Sequence, residues 1–358
     1  MSIPISMRCA VILLTFAMGS IALPAQPPAP GTGSTIQPDT NKIYLDVVVS
    51  PKSGSPVAGL QKEDFTVLDN NVARPIENFQ ALGGSSAPIE VLLVVDAVNT
   101  TFSNLTYERD QIDLFFKSNG GHLDHPVSLA IFTDTGVQMQ QGDSTDGNEL
   151  SASLDRAAVG LREIHRDSQY EAQDRFNLSL NALHSLIVKE AARPGRKLIF
   201  WVSPGWPLLS GPRIDLDAKQ EQLLYSQIVG ISTLLLRNDI TLYSIDPLGM
   251  GQSVGWEFSY QEYLNGVKKP NQVQLGDLSL QVIAVQSGGL ALTATNDIAN
   301  HIRQCMADAT EYYRISYDPP PSEPRDGDYH KIDVKVSKPG LIARTRTGYY
   351  AVSAPQPQ

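Results

Sequence analysis

The sequence predicts an α/β fold: a doubly wound, mostly parallel sheet with β-rich N- and C-terminal flanks. Three observations carry this. The runs IEVLLVVD (89–96), RKLIFWV (196–202) and ITLYSID (240–246) are continuously apolar, as strands buried on both faces of a parallel sheet are. Amphipathic stretches long enough for helices separate them. On either side, 41–84 and 311–351 consist of short alternating runs rich in β-branched and aromatic residues, broken by Pro and Gly turns.

The chain has 358 residues, 42% of them hydrophobic and 18% charged, which suits a large folded domain plus a smaller one. Residues 1–22 have the form of an export signal: Arg8 precedes the apolar run Ala10–Ile21, and Ser20 and Ala22 supply the small residues that a signal peptidase reads. An uncleaved anchor is the other reading. Residues 23–40, LPAQPPAPGTGSTIQPDT, have a linker composition, and 352–358 are expected to be a disordered tail. The best internal candidate for a membrane span, Ile228–Leu236, is broken by Arg237, Asn238 and Asp239, so no transmembrane segment is expected after signal removal. The expected location is extracytoplasmic: periplasm, outer surface or medium. Beyond the signal only Cys305 remains, and one thiol closes no intramolecular disulfide. A net charge of −10 argues against nucleic acid as a partner.

In chain order, IYLDVVVS (43–50) and FTVLDNN with its tight turn begin an N-terminal β unit, 41–84. The α/β domain spans 85–310. A helix is expected over about 105–117 with Leu105, Ile112, Leu114, Phe115 and Phe116 on its apolar face. VSLAIFTDTGVQMQQ reads as a hairpin turning at TDTG. Helices follow at about 148–163, 170–192 and 217–237, then a long Gly-rich, aromatic loop at 249–275, and helices near 277–286 and 296–309. The C-terminal β segment, 311–351, leaves two arrangements open: it packs with 41–84 as one discontinuous domain, or each flank is a separate appendage.

GLQKEDFTVLDNNVARPIENF (59–79), IEVLLVVD, the hairpin, RKLIFWVSPGWP (196–207), DITLYSID (239–246) and the tail from YYRISYDPP to TGYYA together resemble the VWFA-related exported bacterial proteins, abundant in Acidobacteria, within the von Willebrand factor type A domains. The resemblance covers about residues 41–351. It implies a divalent ion at the carboxyl edge of the sheet, held by an Asp-x-Ser-x-Ser motif after the first strand and by a Thr and an Asp from later loops. Mg²⁺ wants a set of oxygen ligands of this kind.

The chain departs from that pattern. Asp96 and Thr100 stand at the first and fifth positions, but Val98 replaces the middle Ser and has no oxygen to offer. SPG (203–205) stands where the later Asp is expected, and Ser168 is the nearest hydroxyl to the expected Thr. The metal site therefore reads as degenerate: no cofactor, or a weakly bound Mg or Ca, with Asp134 and Asp246 as substitute ligands from neighbouring strand ends. His122 and His125 lack a third ligand and read as a solvated loop. No nucleophile elbow and no phosphate-binding Gly loop is present.

The aromatics Trp201, Trp206, Trp256, Phe258, Tyr260 and Tyr263 fall in or after segments that end on this edge. Exposed, they make a contact face; buried, they pack a loop on the sheet. Asn99, Trp206 and Trp256 are the residues expected at a contact edge. The leading expectation is a non-enzymatic, adhesion-type module that binds a protein or cell-envelope partner. The alternative, a periplasmic small-ligand receptor or hydrolase, requires a deep pocket at the same edge lined by paired acids or a His.

Overall fold

The computed structural model describes residues 42–83, 89–140, 142–158, 169–207, 216–249, 259–319 and 327–351. Expectations for 1–22, 23–40, 352–358, Ser168, Trp256 and Phe258 lie outside the described residues. Everything described belongs to one unit, Thr40–Gln358.

Four strands come first: β1 (Ile43–Pro51), β2 (Phe65–Asp69), β3 (Val72–Arg74) and β4 (Asn78–Gly83). Asn70 and Asn71 form the β2–β3 turn with φ of 50° and 64°, a left-handed pair that Asn tolerates. The α/β core follows as β5 (Ile89–Asp96), α1 (Phe102–Phe116), β6 (His122–Thr133), β7 (Gly136–Met139), β8 (Ser144–Asp146), α2 (Gly147–Ala158), α3 (Gln169–Glu190), β9 (Arg196–Val202), α4 (Ala218–Arg237), β10 (Ile240–Ile245), α5 (Leu280–Gln286), β11 (Ala291–Leu292) and α6 (Ile298–Thr310). The chain ends with β12 (Glu311–Tyr317), β13 (Tyr329–Val336), β14 (Leu341–Arg344) and β15 (Gly348–Tyr350).

The core sheet runs β11-β10-β9-β5-β6-β7, with β8 also on β6. The strands from β11 to β6 are parallel; β7 and β8 are antiparallel to β6. Strand alternation builds a core on each face. Val91, Leu93 and Val95 of β5 face Ile112 and Phe116 of α1, Leu150 and Leu154 of α2, and Ile302 and Cys305 of α6. Leu92 and Val94 face Leu183 and Ile187 of α3, Ile231 and Leu235 of α4, and Ile283 of α5. This is the doubly wound, mostly parallel α/β layer.

The flanks form two further sheets, β14-β1-β12-β4 and β15-β13-β2-β3. Each mixes strands from both ends of the chain: β1 is antiparallel to β12, and β2 to β13. Leu45, Val47, Val67, Tyr313, Ile315 and Val334 share a third core between them.

Three expectations need correction. Leu114 is 57% exposed: two residues from Ile112 it points to the other side of α1, where i and i+2 do not share a face. His122 and His125 are not in a loop but in β6, where His125 is buried and its pKa lowered by burial. The 249–275 stretch, described from Ser259, winds into short 3-10 turns at Tyr260–Tyr263, Pro270–Gln272 and Leu275–Leu278, with Val267, Val273 and Leu278 buried in the second core. Among the described residues no helix is long and apolar enough to cross a membrane.

Candidate functional site

Because β5, β6, β9 and β10 are parallel, Asp96, Asp134, Ser203 and Asp246 all follow strands that end on one edge of the sheet. The residues brought together there are not the expected ligand set.

Asp96 is fully buried and surrounded by donors. Its Oδ1 accepts from the amides of Val98 and Asn99, both at 2.9 Å. Its Oδ2 accepts from Asn99 Nδ2 at 2.8 Å, Ser203 Oγ at 2.8 Å and Trp201 Nε1 at 3.1 Å. A carboxylate has about four lone-pair positions, and five donors exhaust them. Burial raises the Asp96 pKa, and the hydrogen bonds from Asn99, Ser203 and Trp201 oppose that rise.

Thr100 is equally committed. Its hydroxyl donates to Glu108 Oε1 at 2.6 Å, and both residues are buried. Val98 is fully buried within the second core. Pro204 stands where the resemblance implies a carboxylate, and the preceding Ser203 hydroxyl donates a hydrogen bond to Asp96 Oδ2. The donor set around Asp96 therefore does not fit a hard divalent ion, which needs free oxygen ligands. Asp134 is exposed in the β6–β7 turn. Asp246 is 1% exposed; its Oδ1 accepts from the Leu248 amide at 2.8 Å, and burial pushes its pKa up to about 6. Among the described residues no group of three or more His, Cys, Asp or Glu side chains is placed to hold a metal ion.

Two residues expected on the contact edge lie beneath it. Asn99 is buried, because its amide spans Asp96 and Ser179 Oγ of α3. Trp206 is 5% exposed and packs edge-on to Trp201 at 5.5 Å. Its ring fills the second core. Trp256 lies outside the described residues.

Four residues at this edge escaped the sequence reading. Phe102 is 60% exposed at the first position of α1, set there because Thr101 caps the helix by accepting from the Asn104 amide. Glu108 lies on the buried stripe of α1 with Leu105 and Ile112, a spacing of three and four that was readable as a buried acid needing a partner. Ser179 had no legible signal, since its role depends on where α3 docks. Tyr107 donates to the Asn296 carbonyl at 3.0 Å and joins α1 to the exposed 294–297 loop at the same edge.

A small cavity of about 20 Å³ is lined by residues of α4, α5 and the Leu275–Leu278 turn, with Arg346; none of Asp96, Asp134, Ser203 and Asp246 lines it.

No protein-family model matches the sequence. No curated protein matches it either. Solved structures do. A human COPII-coat protein shares 9% identity at a TM-score of 0.37, over 75% of this chain and 44% of that one. The SpRpn10 VWA domain shares 12% at 0.30, over 59% and 94%. The pilus adhesin SpaC from Lactobacillus rhamnosus GG shares 8% at 0.37, over 79% and 47%. The chain spans less than half the length of the coat protein and of the adhesin.

Proposed function

We propose that the chain is a non-enzymatic, extracytoplasmic interaction module of the type A kind that binds a protein or cell-envelope partner at the carboxyl edge of its sheet without a divalent ion. The observation that carries this reading is the saturation of Asp96. Where a metal-dependent edge keeps oxygens free for an ion and a partner's carboxylate, this edge spends them on Asn99, Trp201 and Ser203. What it offers a partner is exposed Phe102 beside exposed Ser103, at the end of α1 that Tyr107 joins to the exposed 294–297 loop. An exposed aromatic within a polar rim suits a protein contact. The sequence features of an export signal support a location outside the cytoplasm.

The test is a pull-down from the cell envelope with the wild-type chain and with Phe102→Asp, each with and without EDTA, beside calorimetric titration with Mg²⁺, Mn²⁺ and Ca²⁺. The reading expects a partner retained in EDTA, lost with Phe102→Asp, and no saturable heat from any ion. Saturable heat that Asp96→Ala abolishes would overturn it.

A further inference from the structure

The exposed 294–297 loop is pinned at three points. Tyr107 of α1 donates to the Asn296 carbonyl at 3.0 Å. Gly249, with φ of +69°, lies so close that a Cβ there would come 3.0 Å from the Asn296 amide nitrogen. The third point is inside. Thr295 Oγ1 stands 3.2 Å from Nε2 of His301, in the first turn of α6, and also accepts from the Asp297 amide at 3.4 Å. His301 is 6% exposed, and among the described residues its Nδ1 is buried with no hydrogen-bond partner.

That orphaned nitrogen makes the ring sensitive to charge. A neutral imidazole carries one N–H and one bare nitrogen, whereas the imidazolium carries two N–H donors. Whichever tautomer stands at neutral pH, the cation must place a donor on Nδ1, and a charged donor buried without an acceptor is costly. The charge that faces His301 is Asp297, exposed at the cap of its own helix, where it accepts from the Asn300 amide. Further along α6, Arg303 is exposed and Asp308 accepts from Tyr243 of β10. Of the elements packed against α6, α1 carries Glu108, bonded to Thr100, Arg109, paired with Asp155, exposed Asp110, and the Asp113–Lys117 pair. β9 carries Arg196, paired with Asp46, and Lys197, which donates to the Arg193 carbonyl. β12 carries Arg314, also paired with Asp46, and Glu311, whose carboxylate lies against Gly83. Asp246 follows β10 and accepts from the Leu248 amide. Among the described residues none of these groups gives Nδ1 an acceptor.

We propose that His301 is an acid-operated latch beneath the contact edge. Uncharged, it holds the 294–297 loop closed through Thr295; on taking a proton from water it turns out towards Asp297, the loop opens and the partner is released. Only the release rests on the contact-edge reading; the latch itself does not. Burial lowers the His301 imidazole below its ordinary 6.5, so the opened state binds the proton more readily than the closed one. The closed loop is therefore fully favoured above pH 6.5 and loses its advantage as the pH falls below that value. One such group changes the opening equilibrium by up to about tenfold per pH unit.

The test is hydrogen–deuterium exchange of the 294–297 loop in the full chain at pH 7.5 and 5.5, corrected for intrinsic exchange, beside a proton–nitrogen NMR titration of the histidine rings. Protection of the loop should fall by about threefold to tenfold at the lower pH, over the range in which the His301 ring takes its proton. His301→Gln, which can still bond Thr295 and does not titrate, should be equally protected at both pH values. Unchanged protection in the wild type, or the same fall in His301→Gln, overturns the latch. Should His301→Gln fail to fold, Thr295→Val decides: with the hydroxyl gone the loop should be as open at pH 7.5 as the wild type is at pH 5.5, and wild-type protection there rejects the proposal. The cell-envelope pull-down, repeated at pH 5.5, reads the release. The wild type should drop the partner and His301→Gln should keep it; a partner kept by the wild type, or dropped by both, overturns the release. No partner even at pH 7.5 fails the contact-edge reading instead, and the latch then stands or falls by exchange.

Discussion

The indole nitrogen of Trp201 donates to Asp96 Oδ2 at 3.1 Å, tying the penultimate residue of β9 to the last residue of β5 from within the core. Four of the five groups on Asp96 are N–H donors with no acceptor role at that atom, so the carboxylate is the hub on which this edge is built. Asp96→Ala strands these donors in a buried setting and should cost about 3–5 kcal/mol. Ser203→Ala removes one and should cost about 1 kcal/mol. Urea denaturation measures both, and an Asp96→Ala cost no larger than that of Ser203→Ala would show that the hub is not structural.

The carboxyl of Asp246 titrates at about 6 when folded, against an ordinary 3.8. The folded state therefore holds this proton more tightly than the unfolded chain does. Its contribution to stability is fully present below pH 3.8, is lost as the pH rises towards 6, and changes no further above that. The gap corresponds to about 3 kcal/mol at most. Asp246→Asn, which still accepts from the Leu248 amide, should match the wild type near pH 3.5 and exceed it at pH 8. Equal denaturation midpoints at the two pH values would refute the assignment.

Arg196 joins the α/β layer to the flanking sheets. It is 2% exposed, pairs with Asp46 of β1, donates to the Asp308 carbonyl at 2.7 Å and lies 4.4 Å over the ring of Tyr312. Arg196→Met and Asp46→Asn should each destabilise, and a double-mutant cycle should return a coupling of about 1–3 kcal/mol. Additive effects would mean that Arg314 alone balances Asp46.

Gly205 has φ of +104°, and a Cβ there would come 2.8 Å from Gln281 Nε2. Gly205→Ala should cost about 1–3 kcal/mol. In a Gln281→Ala background the contact disappears and the backbone strain stays, so part of that cost should persist in thermal unfolding. A complete rescue would assign the whole effect to crowding.

Local pattern made the main elements legible. The doubly apolar runs at β5, β9 and β10 and the amphipathic α4 and α6 each announce themselves within a few residues. Leu114 shows the limit, since apolar character alone did not say which way it points. At the edge, Val98 and Pro204 told against an ion ligand set directly, because the missing oxygens are a property of the residues themselves. What surrounds Asp96 was not readable in the same way. Asn99, Trp201 and Ser203 reach one carboxylate from positions up to 107 residues apart.

The sequence by itself determined the α/β layer and the absence of ligating oxygen at 98 and 204, because strand burial and side-chain chemistry are local facts. Only the tertiary structure decided that β1 lies against β12 and β2 against β13, and that Trp206 is buried where Phe102 is exposed. Each of these depends on groups far apart in sequence meeting in space, and hydrophobic pattern constrains which face a residue takes without fixing which neighbour it finds there.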